Sequence, residues 1–159
     1  MGHIETERKF LVKDDSYKEA ATEHIRMTQG YICNESGRTV RVRKAGRKGW
    51  LTIKGPSTDD GLSRFEWETA LSEEDTDRLL KLCSTGLIDK VRHIVPYGGH
   101  RFEVDEFLGD NLGLTVAEIE LQDPEEPFSR PEWLSEEVTG DRRYYNSMLA
   151  SSPFSTWTH

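Results

Sequence analysis

Charged and apolar residues alternate along most of this chain with a period of two. Arg41-Val42-Arg43, Thr52-Ile53-Lys54, Arg64-Phe65-Glu66-Trp67-Glu68, Lys90-Val91-Arg92, Glu103-Val104-Asp105 and Glu118-Ile119-Glu120 all read this way. Near the start, Glu5-Thr6-Glu7-Arg8-Lys9 places two carboxylates and an ammonium at every second position. Successive side chains of a strand point to opposite faces, so each run predicts a strand with one charged face. The Val, Ile, Phe and Trp between the charges are strand formers. Eight strands are predicted: Ile4–Val12, Met27–Cys33, Thr39–Lys44, Trp50–Lys54, Leu62–Leu71, Ile88–Val95, Arg101–Phe107 and Leu114–Leu121, with turns at Asn34–Gly37 and Gly46–Gly49. A short helix follows Asp15-Ser16, from Tyr17 to about Thr22. A second opens at Ser72-Glu73-Glu74-Asp75, carries Leu79, Leu80 and Leu82 on its apolar face and ends at Gly86. Arg142–Ala150 reads as a closing helix and Pro124–Pro131 as a loop. Without linkers, repeats or low-complexity tracts, the chain reads as one domain over residues 1–150 with a tail at 151–159.

In an ordinary sheet the charged face of each strand meets water. Here the charges are sorted: arginine and lysine cluster on some strands, and carboxylates pair at i and i+2 on others. A sheet closed with those faces inward is a barrel whose lumen has a cationic wall and an acidic wall, and closure removes the unpaired edges. Burying such a mixture is costly without ligands. The arrangement therefore points to metals and polyanions, because carboxylates hold a divalent cation while the neighbouring ammonium or guanidinium holds an anion.

Composition narrows the partners. The 159 residues are 35% hydrophobic and 31% charged, enough for one domain with a core, and the net charge of −8 argues against nucleic acid as a general partner. No apolar run has the length of a membrane span, and the charged motif begins at once, so a cytoplasmic protein without a leader is expected. Cys33 and Cys83 read as reduced thiols. There is no G-x-x-x-x-G-K-[ST] loop, no Cys-x-x-Cys and no metal-ligand spacing among the five histidines. Oxygen ligands without sulfur or imidazole favour magnesium or manganese.

The ordered set of E-x-E-x-K, R-x-R, T-x-K-G, E-x-E, K-x-R, E-x-D and a late E-x-E resembles the CYTH superfamily, or triphosphate tunnel metalloenzymes. The resemblance runs from Glu5 to about Leu149, and the tail Glu137–Asn146 is similar to that of the short bacterial members. It implies an α+β fold: a closed eight-stranded antiparallel barrel with flanking helices and a closing C-terminal helix. It also implies metal-dependent hydrolysis of the terminal phosphoryl group of inorganic triphosphate. Thiamine triphosphatase or adenylate cyclase activity is the alternative within the same site, and a polyphosphate-binding module the non-enzyme alternative.

Matched residue by residue, Glu5, Glu7, Glu118 and Glu120 are the expected metal ligands, with Asp105 and Glu68 next. Lys9, Arg41, Arg43, Lys54, Lys90 and Arg92 form the expected triphosphate clamp, since guanidinium forks bond phosphate oxygens in pairs. Arg64 joins them or pairs with Glu66, which is itself an outer ligand or a salt-bridge partner. Lys9 and Glu7 are expected to act in catalysis, with Tyr31 either in the site or packed in the wall. Two Mg2+ or Mn2+ ions and a small-molecule triphosphate are the expected ligands, with no nucleic acid or membrane partner and a homodimer left open. Phe65 and Trp67 are expected on the outer face beneath helices, leaving Trp133, Tyr144 and Tyr145 as the aromatics available to a barrel mouth.

Overall fold

A computed structural model describes residues 3–35, 37–84 and 86–157; Ser36 of the expected Asn34–Gly37 turn and His159 lie outside them. The strands are β1 (His3–Val12), β2 (Glu23–Glu35), β3 (Arg38–Ala45), β4 (Lys48–Ser57), β5 (Ser63–Leu71), β6 (Ile88–Tyr97), β7 (His100–Phe107), β8 (Thr115–Leu121) and β9 (Leu134–Glu137). The first eight form an antiparallel sheet in the order β5-β4-β3-β2-β6-β7-β8-β1, and pairing of β1 with β5 closes it. The expected eight-stranded barrel is the observed one.

Closure uses β1 twice. Residues 3–6 of β1 pair with β5, while Phe10 and Val12 pair with β9, so two partners share one edge of a ten-residue strand. The sequence reading missed β9, which is four residues long and reads Leu-Ser-Glu-Glu, with no strand former after the first.

The helices are few and short: α1 (Tyr17–Ala20), α2 (Glu73–Leu80) and α3 (Asn146–Leu149). The Ser72 hydroxyl caps α2 by accepting from the Asp75 amide at 3.1 Å, as the capping pattern predicts. The helix stops at Leu80, short of Gly86, and Leu82 is exposed. It lies over β2, β3 and β4, and a Cβ at Gly49 would collide with the buried Thr76 side chain. No helix covers β5. Phe65 stays 47% exposed and faces Ile4, 64% exposed, across the β1–β5 ladder, which corrects the expectation that Phe65 lies beneath a helix.

The closing helix is also corrected. Residues 142–144 form a 3-10 turn, Tyr145 is extended at φ −69° and ψ 134°, and α3 is a single turn. Two apolar clusters hold this frame. Phe10, Phe102, Val104 and Ile119 carry the outer wall against Tyr17 and Trp133. Ile88, Phe107 and Val116, which share the face of the lumen charges, fill one end of the barrel beneath Tyr144 and Leu149, with Phe154 and Trp157 packed on them.

Candidate active site

Strand parity and register turn the alternating charges into a lumen. Glu5, Glu7 and Lys9 of β1 share a face, and the ladder sets Glu7 opposite Glu120 and Lys9 opposite Glu118. On the other side, Arg41 and Arg43 of β3 stand opposite Thr52 and Trp50 of β4, and Thr39 stands opposite Lys54. Glu7, Lys9, Tyr31, Arg41, Arg43, Lys54, Arg64, Arg92 and Glu118 line one narrow cavity, and Glu5 lines the space adjoining it. Nine of the expected site residues thus meet around one opening.

Lys90 and Asp105 stand behind that cavity rather than on it. Both are buried, with Lys90 Nζ 2.7 Å from Asp105 Oδ2, while Arg92 forks onto both Asp105 oxygens at 2.8 and 2.9 Å. Burial alone would raise the Asp105 pKa, but the two cations hold it well below the carboxylate range. Glu68 accepts from the Thr52 hydroxyl at 2.7 Å and lies 3.7 Å from Arg41, away from the other acids. The Glu120 side chain is 66% exposed and lies 3.9 Å from His3. The six expected metal ligands therefore do not form one group.

Those that do converge are Glu5, Glu7 and Glu118. Glu5 is turned to Lys54 at 2.9 and 3.2 Å, and Glu118 lies 3.4 Å from Lys9. Glu66 shares Lys54 at 3.4 Å, and Arg64 lies 3.9 Å from Glu5, so both readings of these two residues meet at the acidic wall. Glu7 forms no ion pair among the described residues. Burial first, then the facing Glu118 and Glu5, raise its carboxyl to about 8. An unpaired, half-buried carboxyl beside two others, all with hard oxygen donors, fits a divalent cation such as magnesium. Among the described residues no three acids or histidines stand ready as a cage, because lysines hold two of the three carboxylates.

The arginine wall is short of anions in the same way. Arg43 forms no ion pair among the described residues; its Nε donates to Gln29 Oε1 at 2.9 Å. Burial and the guanidiniums of Arg41 and Arg92 bring its pKa down to about 9. Arg41 donates through one terminal nitrogen to Thr52 at 3.1 Å, and its buried Nε has no partner.

Sequence reasoning left Tyr145 of the tail available to a barrel mouth but missed Asn146, Ser147 and Gln29. The extended Tyr145 lets residues 145–147 enter the barrel mouth, where all three line the central cavity. The Tyr145 ring lies 5.0 Å from Lys9 Nζ and 5.6 Å from the Arg64 guanidinium. Asn146 Oδ1 accepts from Lys90 at 2.9 Å and from the fully buried Gln29 at 3.3 Å, and Gln29 also reaches the Tyr31 hydroxyl at 3.3 Å. Tyr31 is 4% exposed and lines the site as well as the wall. Outside the tail, a polar antechamber of about 460 Å3 opens between β3, β4 and Arg142. Close approach of Gly61 to Gly140 shapes this mouth, since a Cβ on Gly61 would strike the Gly140 backbone.

A closed barrel whose lumen carries a cationic wall and an acidic wall defines the class, and comparison with known proteins gives the family. The CYTH domain model matches residues 3–148, and the chain belongs to that family. It is 44% identical over 151 residues to an inorganic triphosphatase of Acetivibrio thermocellus, covering 94% of this chain and 95% of that one. It is 32% identical over 153 residues to an inorganic triphosphatase of Nitrosomonas europaea, covering 93% and 97%. The crystal structure of the inorganic triphosphatase NE1496 superposes with a TM-score of 0.66 at 28% identity, covering 92% of this chain and 93% of that one.

Proposed function

We propose that this protein is a metal-dependent inorganic triphosphatase that cleaves the terminal phosphoryl group of tripolyphosphate inside its barrel. The observation that carries this reading is one unpaired charged group on each wall of one tunnel: among the described residues Arg43 has no carboxylate partner and Glu7 has no cation partner. A triphosphate satisfies the first wall, and magnesium or manganese, in a two-ion site, satisfies the second.

Lys9, Arg41, Arg43, Lys54, Arg64 and Arg92 hold the phosphate oxygens, with Lys90 behind them fixing Asp105 and through it Arg92. Glu5, Glu7 and Glu118 hold the metal, with Glu120, Glu68 and Asp105 as outer acids. When bound, the ions lower the pKa of the attacking water and neutralise charge on the transferring group. The centre of the tunnel has only about 40 Å3 free. Entry of a polyanion would therefore require exchange: phosphate oxygens would replace Glu5 on Lys54 and Glu118 on Lys9, and the two freed carboxylates would be the ones to hold the metal. Tyr31 and Gln29 keep Arg43 in place while this happens. Positioning and charge neutralisation carry most of the rate in phosphoryl transfer, and the side chains present are suited to both.

The free thiols Cys33 and Cys83 fit a reducing, cytoplasmic setting, and none of the described helices is long and apolar enough to cross a membrane. Phosphate release from tripolyphosphate, with magnesium and with a chelator, tests the reading. Release that requires magnesium is the expected result. Tight binding of tripolyphosphate without release in either condition would make the protein a polyphosphate-binding module instead.

A further inference from the structure

The tunnel has a second mouth, on the other side of Arg43 from the antechamber, where a cavity of about 280 Å3 opens. Its wall differs from the polar near mouth: Ile25, Ile94 and the indole of Trp50 line it. Trp50 stands directly opposite Arg43 in the β3–β4 ladder. Side chains paired in this way have Cβ atoms about 4.5–5.5 Å apart, so one small molecule can touch both.

The charges of this mouth are graded from inside to outside. Of its cations, Arg92 is spent on Asp105 and Arg101 on Glu103, whereas Arg43 is bonded by the neutral Gln29 amide. At the rim, Glu23 is exposed and forms no ion pair among the described residues, while Glu68, with its side chain 42% exposed, is held by Thr52 at 2.7 Å and Arg41 at 3.7 Å. The anion-seeking guanidinium of Arg43, the exposed carboxylate of Glu23 and the indole of Trp50 thus line one cavity. Triphosphate, with negative charge along its whole length, matches Arg43 but not Glu23.

We propose that this rear mouth is a second ligand site, taking a small phosphate monoester with a cationic head group. Its phosphate bonds Arg43, and its cation lies on the Trp50 ring towards Glu23. Aromatic rings attract organic cations through their negative faces, most strongly for Trp and for quaternary ammonium groups. The volume is at the small end for ligand pockets, which limits the linker to a few atoms. Because Arg43 also lines the central cavity, a ligand here and a polyanion in the tunnel exclude one another. This site is separate from the triphosphatase reading and does not depend on it.

Phosphocholine is the probe, titrated calorimetrically into the full chain in the presence of chelator, so that metal-dependent turnover does not contribute. Saturable binding at one site per chain is expected. Choline and methyl phosphate should each bind at least about tenfold more weakly, since each keeps half of the contacts. Trp50→Ala should weaken phosphocholine by about tenfold while its hydrolysis of tripolyphosphate stays within about twofold of the unmodified protein. Glu23→Lys, a rim substitution outside the core, should weaken it severalfold and keeps the test decisive if Trp50→Ala does not fold. Tripolyphosphate should displace the probe. Absence of saturable binding, unchanged affinity in Glu23→Lys, or failure of displacement would overturn the proposal. Binding to phosphatidylcholine vesicles would overturn it too, because a diester held at a bilayer surface cannot reach Arg43. A protein that binds phosphocholine as described but hydrolyses no tripolyphosphate would keep this site and lose the triphosphatase reading.

Discussion

The two sides of the lumen treat buried charge in opposite ways. On β6 and β7, Lys90, Arg92 and Asp105 neutralise one another within 2.7–2.9 Å, and every strong charge has a partner of opposite sign. On β1 and β3, Glu7 and Arg43 are half-buried with no partner of opposite sign among the described residues. A buried ion pair costs desolvation and returns much of it in attraction, whereas an unpaired buried charge is tolerated only if something else neutralises it. On the proposed function Lys90 and Asp105 are scaffold that fixes Arg92 towards the tunnel, and the unpaired groups are where ligands would supply the missing charge. If this division is right, substitutions on the two sides should damage different properties.

The largest effect is expected at Glu7. Glu7→Gln should lower magnesium-dependent turnover by at least about a hundredfold, the scale on which lost transition-state charge stabilisation is felt. The fold should survive and become more stable in chelator at alkaline pH. The sign follows from the raised pKa: the folded carboxyl holds its proton up to about 8, whereas the unfolded one releases it near 4.5. Wild-type stability from this group is fully present below the unfolded value and is lost as pH rises through the folded one. Thermal melts at pH 5 and pH 8.5 should show a wild-type loss that Glu7→Gln lacks. Normal activity in Glu7→Gln would remove it from the metal site.

Asp105→Asn probes the paired side. It leaves Lys90 and Arg92 buried without their carboxylate, so a stability loss of about 3–5 kcal/mol is expected from denaturant unfolding. Burial and the arginines already press the Lys90 pKa down to about 7 despite Asp105. Without Asp105, Lys90 should titrate still lower, and stability should fall further towards acid pH, where it must be charged. A variant as stable as the parent but inactive would instead make Asp105 a metal ligand and break the division between the two sides.

Next come Arg41→Ala and Arg43→Ala. Each should weaken triphosphate turnover by tenfold or more, from charged hydrogen bonds of about 1.5–3 kcal/mol. Stability should hold or rise in Arg43→Ala, which removes a cation without a carboxylate partner among the described residues, whereas Arg41→Ala also gives up the approach to Glu68 at 3.7 Å. Kinetics near those of the parent for both would place these side chains outside the clamp.

Much of this architecture was legible from alternation alone. The i, i+2 spacing of Glu5, Glu7 and Lys9, or of Arg41 and Arg43, is itself the geometry of a shared strand face, so lumen membership followed without a structure. Partners across strands were not legible, because Lys90 meets Asp105 only through the register of β6 with β7. The break at Tyr145 was hidden because nothing in Arg142–Ala150 forbids a helix; the burial of Tyr144 and Leu149 over the barrel end decides it. Trp50 was hidden by composition. It has the parity of Thr52 and Lys54, but Trp50-Leu51 are both apolar and mask the period.

The smallest expected effect concerns substrate choice at the near mouth. A head group trailing from the clamp would sit in the antechamber, which is lined by Thr39, Ser57, Thr58, Asp59, Arg38 and Arg142. Its aromatic ring, Tyr145, is already engaged by Lys9 and Arg64, and Trp133 is buried in the outer-wall core. Phe65 points outward, and Trp50 lies beyond Arg43 at the other mouth. A nucleobase or a thiazolium ring therefore gains little stacking there, and its bulk crowds the Gly61–Gly140 approach. Tripolyphosphate should be hydrolysed with kcat/KM at least about tenfold above ATP or thiamine triphosphate, a difference of about 1.4 kcal/mol in transition-state binding. Tyr145→Ala separates the causes: if the ring supports the clamp, tripolyphosphate should suffer more than ATP, and the selectivity should narrow. A side-by-side magnesium assay in which ATP or thiamine triphosphate is preferred would mean that the antechamber recognises the head group, and that the unpaired walls serve an organic triphosphate.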